Sequence, residues 1–191
     1  TAPDLKKGLT TAAILGLLAG LGLAFVADSL DRRFRSPDDI RNDLGLPVVG
    51  HIPVIPVSRE QRQAREQQDD ADGSLDPVLR VFHHPRGRIA EAYRAVRTAL
   101  YFSTRGSGHK VLQVTSPNPG DGKTTLASNL AVSIATSGKR TLLVDADFRR
   151  PRVHKLFGIQ DVAGLSEVMA GSVELADAVQ ETAIENLSVL V

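Results

Sequence analysis

The chain has 191 residues, a formal net charge of +1, 42% hydrophobic residues, 4% aromatics, and neither Cys nor Trp. The missing thiols exclude disulfides, thiolate metal sites and cysteine catalysis. The near-neutral charge and scarce aromatics leave no case for a nucleic-acid surface, and no nucleic acid partner is expected.

Residues 1–8 read as an extracytoplasmic end. Residues 9–27, LTTAAILGLLAGLGLAFVA, carry no charge. As a helix this run is roughly 28 Å long, about the hydrocarbon thickness of a bilayer, and it is expected to span a membrane. A secretory signal would need a small-residue cleavage site, and charged Asp28-Ser29-Leu30-Asp31-Arg32-Arg33 follows instead. A buried soluble helix would show a polar face every 3.6 residues, and none repeats. Gly16 and Gly20 form a G-x-x-x-G spacing that would let another helix approach. Arg32, Arg33, Arg35 and Arg41 follow the span, against Lys6 and Lys7 before it. The positive-inside rule places the C-terminal side in the cytoplasm.

Residues 28–56 form a juxtamembrane segment. Ser36-Pro37-Asp38-Asp39-Ile40 reads as a helix start, with Ser36 at the N-cap and Pro37 in the first turn. Val48 to Pro53 reads as a short extended segment. Residues 57–86 are assigned to a polar linker, most polar over 57–76, with some helix around 60–68. His83 and His84 lack ligand partners at useful spacing, so a loop is favoured over a metal site. A helix is expected over 91–102. Within it Glu91, Arg94 and Arg97 recur every three residues and share a face. A solvated charged face is the plainer reading of that spacing, and a self-association surface the sharper one.

The densest signal is Pro117-Asn118-Pro119-Gly120-Asp121-Gly122-Lys123-Thr124-Thr125, between a β-branched run at 111–115 and an apolar-periodic stretch. Strand, glycine loop and helix in that order make a phosphate cradle. Gly120 and Gly122 let successive N–H groups turn inward, and the helix adds its positive end. Lys123 can reach β- and γ-phosphates, and the Thr124 hydroxyl can ligand Mg²⁺. Pro119, Gly120, Asp121, Gly122, Lys123, Thr124 and Thr125 are thus the candidate nucleotide-binding residues. Pro117 stands where the usual pattern has Gly, which leaves the entry path of the loop open. Thr141-Leu142-Leu143-Val144-Asp145-Ala146-Asp147 then reads as a parallel strand covered on both faces and ending in two acids. Asp145 and Asp147 either hold Mg²⁺ beside the phosphates or cap the following turn and helix. Arg149, Arg150 and Arg152 steady phosphate charge, face a neighbouring subunit or sit on a solvent-facing turn.

The order of these parts carries a resemblance. The span, SPDDI, LGLPVVGHIP, the polar linker, E-A-Y-R-x-x-R-T-x-L, TSPNPGDGKTT and LLVDADFRRPRVHKLFG resemble the bacterial tyrosine kinases of capsule and exopolysaccharide synthesis. These are the Wzc/CapB-like BY-kinases, fused to a chain-length-determinant membrane region of the Wzz type. Nearly the whole chain is covered. The resemblance implies that Lys123 and Thr124 bind ATP and Mg²⁺ as the Walker A motif. It implies that Asp145 and Asp147, as Walker A′, bind Mg²⁺ and help activate a tyrosine hydroxyl, so that Lys123, Asp145 and Asp147 are the catalytic set. It further implies that Glu91, Arg94 and Arg97 assemble a ring-like homo-oligomer whose neighbours phosphorylate each other. The implied partners are the polysaccharide polymerase and export machinery and a cognate phosphatase, at the bacterial inner membrane with the kinase domain in the cytoplasm. No Walker B acid or tyrosine cluster is present, so the chain is expected to be an internal fragment, inactive by itself, of a longer protein.

The expected fold is α/β: a transmembrane helix and juxtamembrane segment, then a truncated P-loop kinase domain over 87–191 with a mostly parallel sheet. Strands are expected at 110–115, 140–145 and 187–191, and helices at 123–137, 151–157, 165–170 and 173–180. Gly138 suits the end of the first of these helices. A tyrosine autokinase regulating polysaccharide polymerisation and export competes with two other readings. One is a ParA/MinD-like ATPase switch, disfavoured by Asn118 where such loops carry lysine; the other is a non-catalytic polysaccharide co-polymerase.

Overall fold

In the computed structural model the uncharged run lies inside one helix, α1 (Leu5–Leu30). Its 26 residues rise about 39 Å. Residues Gly8–Asp28 are long and apolar enough to cross a membrane, and none is buried by protein. The exposed side chains include Leu9, Ile14, Leu17 and Phe25. Such a surface is costly in water and favourable in lipid. A second helix, α2 (Pro37–Leu44), has proline at its first position and ends at Gly45, whose φ of +65° suits a residue without Cβ. The expected N-cap, Ser36, lies outside the described residues, which are 5–30, 37–54, 74–103, 111–160 and 163–191. The helix expected around 60–68 lies outside them too. Contacts divide the chain into two units, Thr1–Val48 and Val49–Val191.

The second unit is built around one helix, α5 (Lys123–Ala135). Its buried residues Leu130, Ala131, Val132 and Ala135 join Leu143, Leu187 and Val189 from the sheet. From α3 (Arg80–His83) and α4 (Arg88–Ser103) the same core takes Val81, Ala90, Tyr93 and Val96. Helix α4 starts three residues ahead of the expected 91, because Ala90 and the half-buried Ile89 belong to the same apolar face as Tyr93 and Val96.

Within 74–86, assigned to the end of the linker, Val78, Leu79 and Val81 are buried, while residues 82–86 stay exposed. Leu79 is fully buried and α3 includes His83, whose Nε2 lies 3.1 Å from the Leu75 carbonyl. No metal-holding group of His and acidic side chains occurs among the described residues. The turn at Asp76 explains the order: its Oδ1 accepts the Val78 N–H at 2.7 Å, and its own N–H donates to the Leu156 carbonyl. Few apolar residues are needed when polar groups hold the segment.

The sheet has the order β1 (Thr141–Val144), β3 (Leu187–Leu190), β2 (Gln180–Glu181). Strands β1 and β3 are parallel, with Thr141 opposite Leu187 and Val144 opposite Leu190. The short β2 runs antiparallel to β3, pairing Gln180 with Val189. That pairing ends the helix expected over 173–180 early, at α8 (Leu175–Ala178). The remaining helices, α6 (Val153–Phe157) and α7 (Leu165–Met169), fall within the expected 151–157 and 165–170.

Two expectations about strands fail. Residues 111–116 carry no ladder, with Val111 85% exposed and no strand beside them among the described residues. High β-propensity makes a strand only where a neighbour accepts its N–H groups. Strand β1 is not covered on both faces either: Leu143 is buried while Leu142 and Val144 are half exposed. The alternation is that of a sheet packed on one side.

Candidate nucleotide site

Helix α5 runs from the glycine loop to the turn at Gly138, and β1 returns against it. This reversal puts the loop and the acids after β1 at one end of the packed layers. Gly120 and Gly122 have φ of +87° and +93°, and a Cβ at either would meet nothing within 4 Å. Backbone conformation, not crowding, is what demands glycine here. Gly122 is the N-cap of α5 and offers no side-chain oxygen to the first-turn N–H groups. Those donors, on Lys123, Thr124 and Thr125, face outward at the positive end of a 13-residue helix.

Lys123 reaches back over the loop. Its Nζ donates to Ser116 Oγ at 3.2 Å and to the Asn118 carbonyl at 3.4 Å. Ser116 Oγ in turn donates to the same carbonyl, and Asp121 Oδ2 accepts the Asn118 N–H at 3.0 Å. Among the described residues the ammonium therefore rests on two neutral oxygens and pairs with no carboxylate. A cation held this way beside uncapped helical N–H groups fits a phosphate group. Ser116 was not singled out from sequence, since a lone serine before a proline carries no distinguishing pattern.

Asp145 is only 8% exposed. Its Oδ1 accepts the Asp147 N–H at 3.1 Å, and Oδ2 accepts the Arg152 and Val153 N–H groups at 2.9 and 3.1 Å. The Asp147 carboxylate is exposed, and its Oδ1 accepts from the Arg149 and Arg150 amides at 3.2 and 3.1 Å. Both acids thus organise the turn that carries the arginines into α6.

Asn129, in the middle of α5, also escaped sequence reading. Fully buried, it accepts the Val81 N–H through Oδ1 and donates through Nδ2 to the Val78 and Thr125 carbonyls. The helix behind the loop is thereby bolted to residues 78–81. An asparagine in an apolar stretch gives no hint of such distant partners.

Glu91, Arg94 and Arg97 of α4 do not share one solvated face. Glu91 is exposed and accepts from Arg94 Nε at 3.0 Å and from its Nη2, while Arg94 Nη1 donates to the Pro85 carbonyl at 2.7 Å. Arg97 turns inward instead, donating from Nη1 to the carbonyl and hydroxyl of Ser133 on α5. Burial of Tyr93 in the same helix pushes its hydroxyl pKa up to about 12. At α7, Glu167 is held below the usual carboxylate range by the Gly164 N–H and the Ser166 hydroxyl.

A left-handed glycine pair, a lysine at the first position of the following helix and acids at the end of the adjoining parallel strand define a P-loop nucleotide-binding fold. Residues 109–191 match the AAA domain family. Over the whole chain, the tyrosine-protein kinase Wzc of Salmonella typhimurium is 32% identical, this chain covering 27% of that protein. The succinoglycan biosynthesis transport protein ExoP of Rhizobium meliloti is 32% identical over 87% of the chain and 23% of its own length. In fold, the kinase domain of the Escherichia coli tyrosine kinase ETK superposes with a TM-score of 0.68 at 32% identity, covering 83% of this chain and 60% of that domain. Over most of its length the chain is similar to bacterial proteins named tyrosine-protein kinases, and it spans about a quarter of the length of the curated relatives it matches.

Proposed function

We propose that this chain is the membrane-proximal part of an ATP-dependent protein-tyrosine autokinase that regulates polymerisation and export of a capsular or exopolysaccharide. The observation that carries the reading is the glycine loop at the uncapped start of α5, crossed by the Lys123 ammonium, in a homologue of Wzc and ExoP.

MgATP, when bound, supplies the transferable phosphoryl group and the divalent charge. The chain's own residues position and neutralise. Residues Pro119 to Thr125 enclose the phosphates, with the Lys123 ammonium leaving its two neutral oxygens for the β- and γ-phosphates. The Thr124 hydroxyl and the Asp145–Asp147 pair would hold Mg²⁺, which would supply divalent charge beside the phosphates, and an acid of that pair would accept the proton of the attacking tyrosine hydroxyl. Tyr93, buried in the core, is not an acceptor, whereas Tyr101 is exposed; the main acceptors belong to a tyrosine-rich segment of a neighbouring copy. Glu91, Arg94 and Arg97 form the contact that assembles the ring. Helix α1 spans the inner membrane with the kinase unit in the cytoplasm, and the polysaccharide polymerase, the export machinery and a cognate phosphatase are its partners.

Phosphotyrosine on the full-length protein after incubation with MgATP, beside its Lys123→Met variant, tests this reading. Tyrosine phosphate lost in the variant supports it. ATP hydrolysis without phosphotyrosine would replace it with an ATPase switch. Neither activity in a protein that still assembles would leave a structural co-polymerase.

A further inference from the structure

Of the two tyrosines in the chain, the fold withholds one and offers the other, and we propose that Tyr101 is itself a phosphoacceptor, a modification site at the end of α4 beside the tyrosine-rich segment. The inference deepens the autokinase reading and rests on it.

Both tyrosines lie on α4. Tyr93 sits within the helix at 1% exposure, against 59% for Tyr101. Phosphoryl transfer needs the phenolic oxygen in line with the γ-phosphorus of ATP, so the ring and the backbone around it must enter a nucleotide site. The last turn of α4 can do this. Tyr101, Phe102 and Ser103 are all exposed, and the helix meets the core through Val96 and the half-buried Leu100 before them. Unwinding from Tyr101 onward uncovers no core, and helix ends fray readily. Only the edge contact of the Tyr101 and Phe102 rings, centroids 5.6 Å apart, and the Ser103 hydroxyl bond to the Leu100 carbonyl at 3.0 Å are at stake.

The surroundings also suit the product. The dipole opposes a phosphate at the C-terminal end of a helix. Arg97, one turn back, offsets this, because a helical side chain leans over the preceding turn and would bring a phosphate on Tyr101 toward residue 97. Arg97 donates from Nη1 to the Ser133 carbonyl and hydroxyl, while Nε and Nη2 have no partner among the described residues. Those donors can take a phosphate oxygen without releasing Ser133. In the transfer, Tyr101 Oη bonds to the γ-phosphorus and the bond to the oxygen bridging the β-phosphate breaks. ADP leaves, and the phenolic proton passes to an acid of the Asp145–Asp147 pair.

Tryptic peptides of the full-length protein, incubated with MgATP, test this. Cuts after Arg88, Arg94, Arg97 and Arg105 release 89–94 and 98–105 with one tyrosine each, so a single digest compares Tyr93 with Tyr101. The phosphotyrosine fraction of 98–105 should exceed that of 89–94 by about tenfold or more, and it should vanish in Lys123→Met. Tyr101→Phe should remove all phosphate from 98–105 and leave phosphotyrosine elsewhere in place. Phosphate persisting on that peptide in Tyr101→Phe would assign it to a serine or threonine and overturn the proposal. Equal fractions on the two peptides would overturn it too, since burial would then select nothing. Phosphotyrosine elsewhere with 98–105 unmodified sinks this site alone. With no phosphotyrosine anywhere, the autokinase reading falls and the site falls with it.

Discussion

Asn129→Ala isolates the bolt between α5 and residues 78–81. The substitution removes one acceptor and both donors from a site without solvent exposure. It orphans the buried Val81 N–H, which Asn129 Oδ1 reaches at 3.1 Å, while the Val78 carbonyl loses its 2.9 Å bond to Nδ2 and keeps the Arg80 N–H. An unpaired buried donor costs about 1–3 kcal/mol, and the bond lost at a carbonyl that keeps another donor about 1 kcal/mol. A water entering the space left by the amide would recover part of that. The net loss should be about 2 kcal/mol, or a fall of roughly 7 °C in Tm for a unit of this size. Thermal unfolding followed by far-UV circular dichroism reads the second unit, and amide exchange at Val81 reads the bolt itself. Asn129→Asp should cost at least as much, because it keeps the acceptor for Val81 and turns the donor into a second acceptor facing two carbonyls. A fall in Tm below about 3 °C with Val81 still protected would refute the reasoning, by showing that another group holds residues 78–81 to the helix.

Two further outcomes test the packing and ionisation of α4. A Cβ on Gly50 would lie 2.6 Å from Val96 Cγ2, a branched side chain in the core. Gly50→Ala should therefore destabilise by about 1–3 kcal/mol; adding Val96→Ala should remove most of the penalty specific to Gly50, read as non-additivity in a urea double-mutant cycle. Burial raises the Tyr93 pKa from 10.0 to about 12, so the neutral form is the one the fold prefers. This contribution is fully present below pH 10 and is lost as pH rises from 10 through about 12, where the unfolded chain ionises first. Tyr93→Phe should flatten that part of the alkaline unfolding profile, and an unchanged profile would show that Tyr93 is not the group responsible.

The phosphate loop was legible because its chemistry is local. Left-handed backbone at Gly120 and Gly122, a lysine at the first helical position and the glycine turn at Gly138 are each set by residues within a few positions of one another. The same holds for α1, whose length follows from an uninterrupted run without charge. Polar connections between distant segments were not legible. Nothing in the pattern of 74–86 announces that Asp76 reaches Leu156 or that Asn129 takes up Val78 and Val81, which are 51 and 48 positions away. The expected strand at 110–115 failed for a related reason. Propensity is a property of the segment, but a strand needs a partner, and residues 111–116 have none among those described.

By itself the sequence determined what each segment can become: a membrane-length helix, a phosphate cradle ahead of a helix, a strand ending in acids. Such outcomes rest on backbone conformation, hydrophobic length and side-chain chemistry carried by neighbours in the chain. Tertiary structure alone decided what the polar side chains are used for. It turned Arg97 inward to Ser133 while leaving Glu91 in solvent, and it spent the Asp145 carboxylate on three backbone N–H groups while exposing Asp147. The physical reason is that a buried donor or acceptor must find a partner wherever the fold brings one, and sequence spacing does not encode which one arrives.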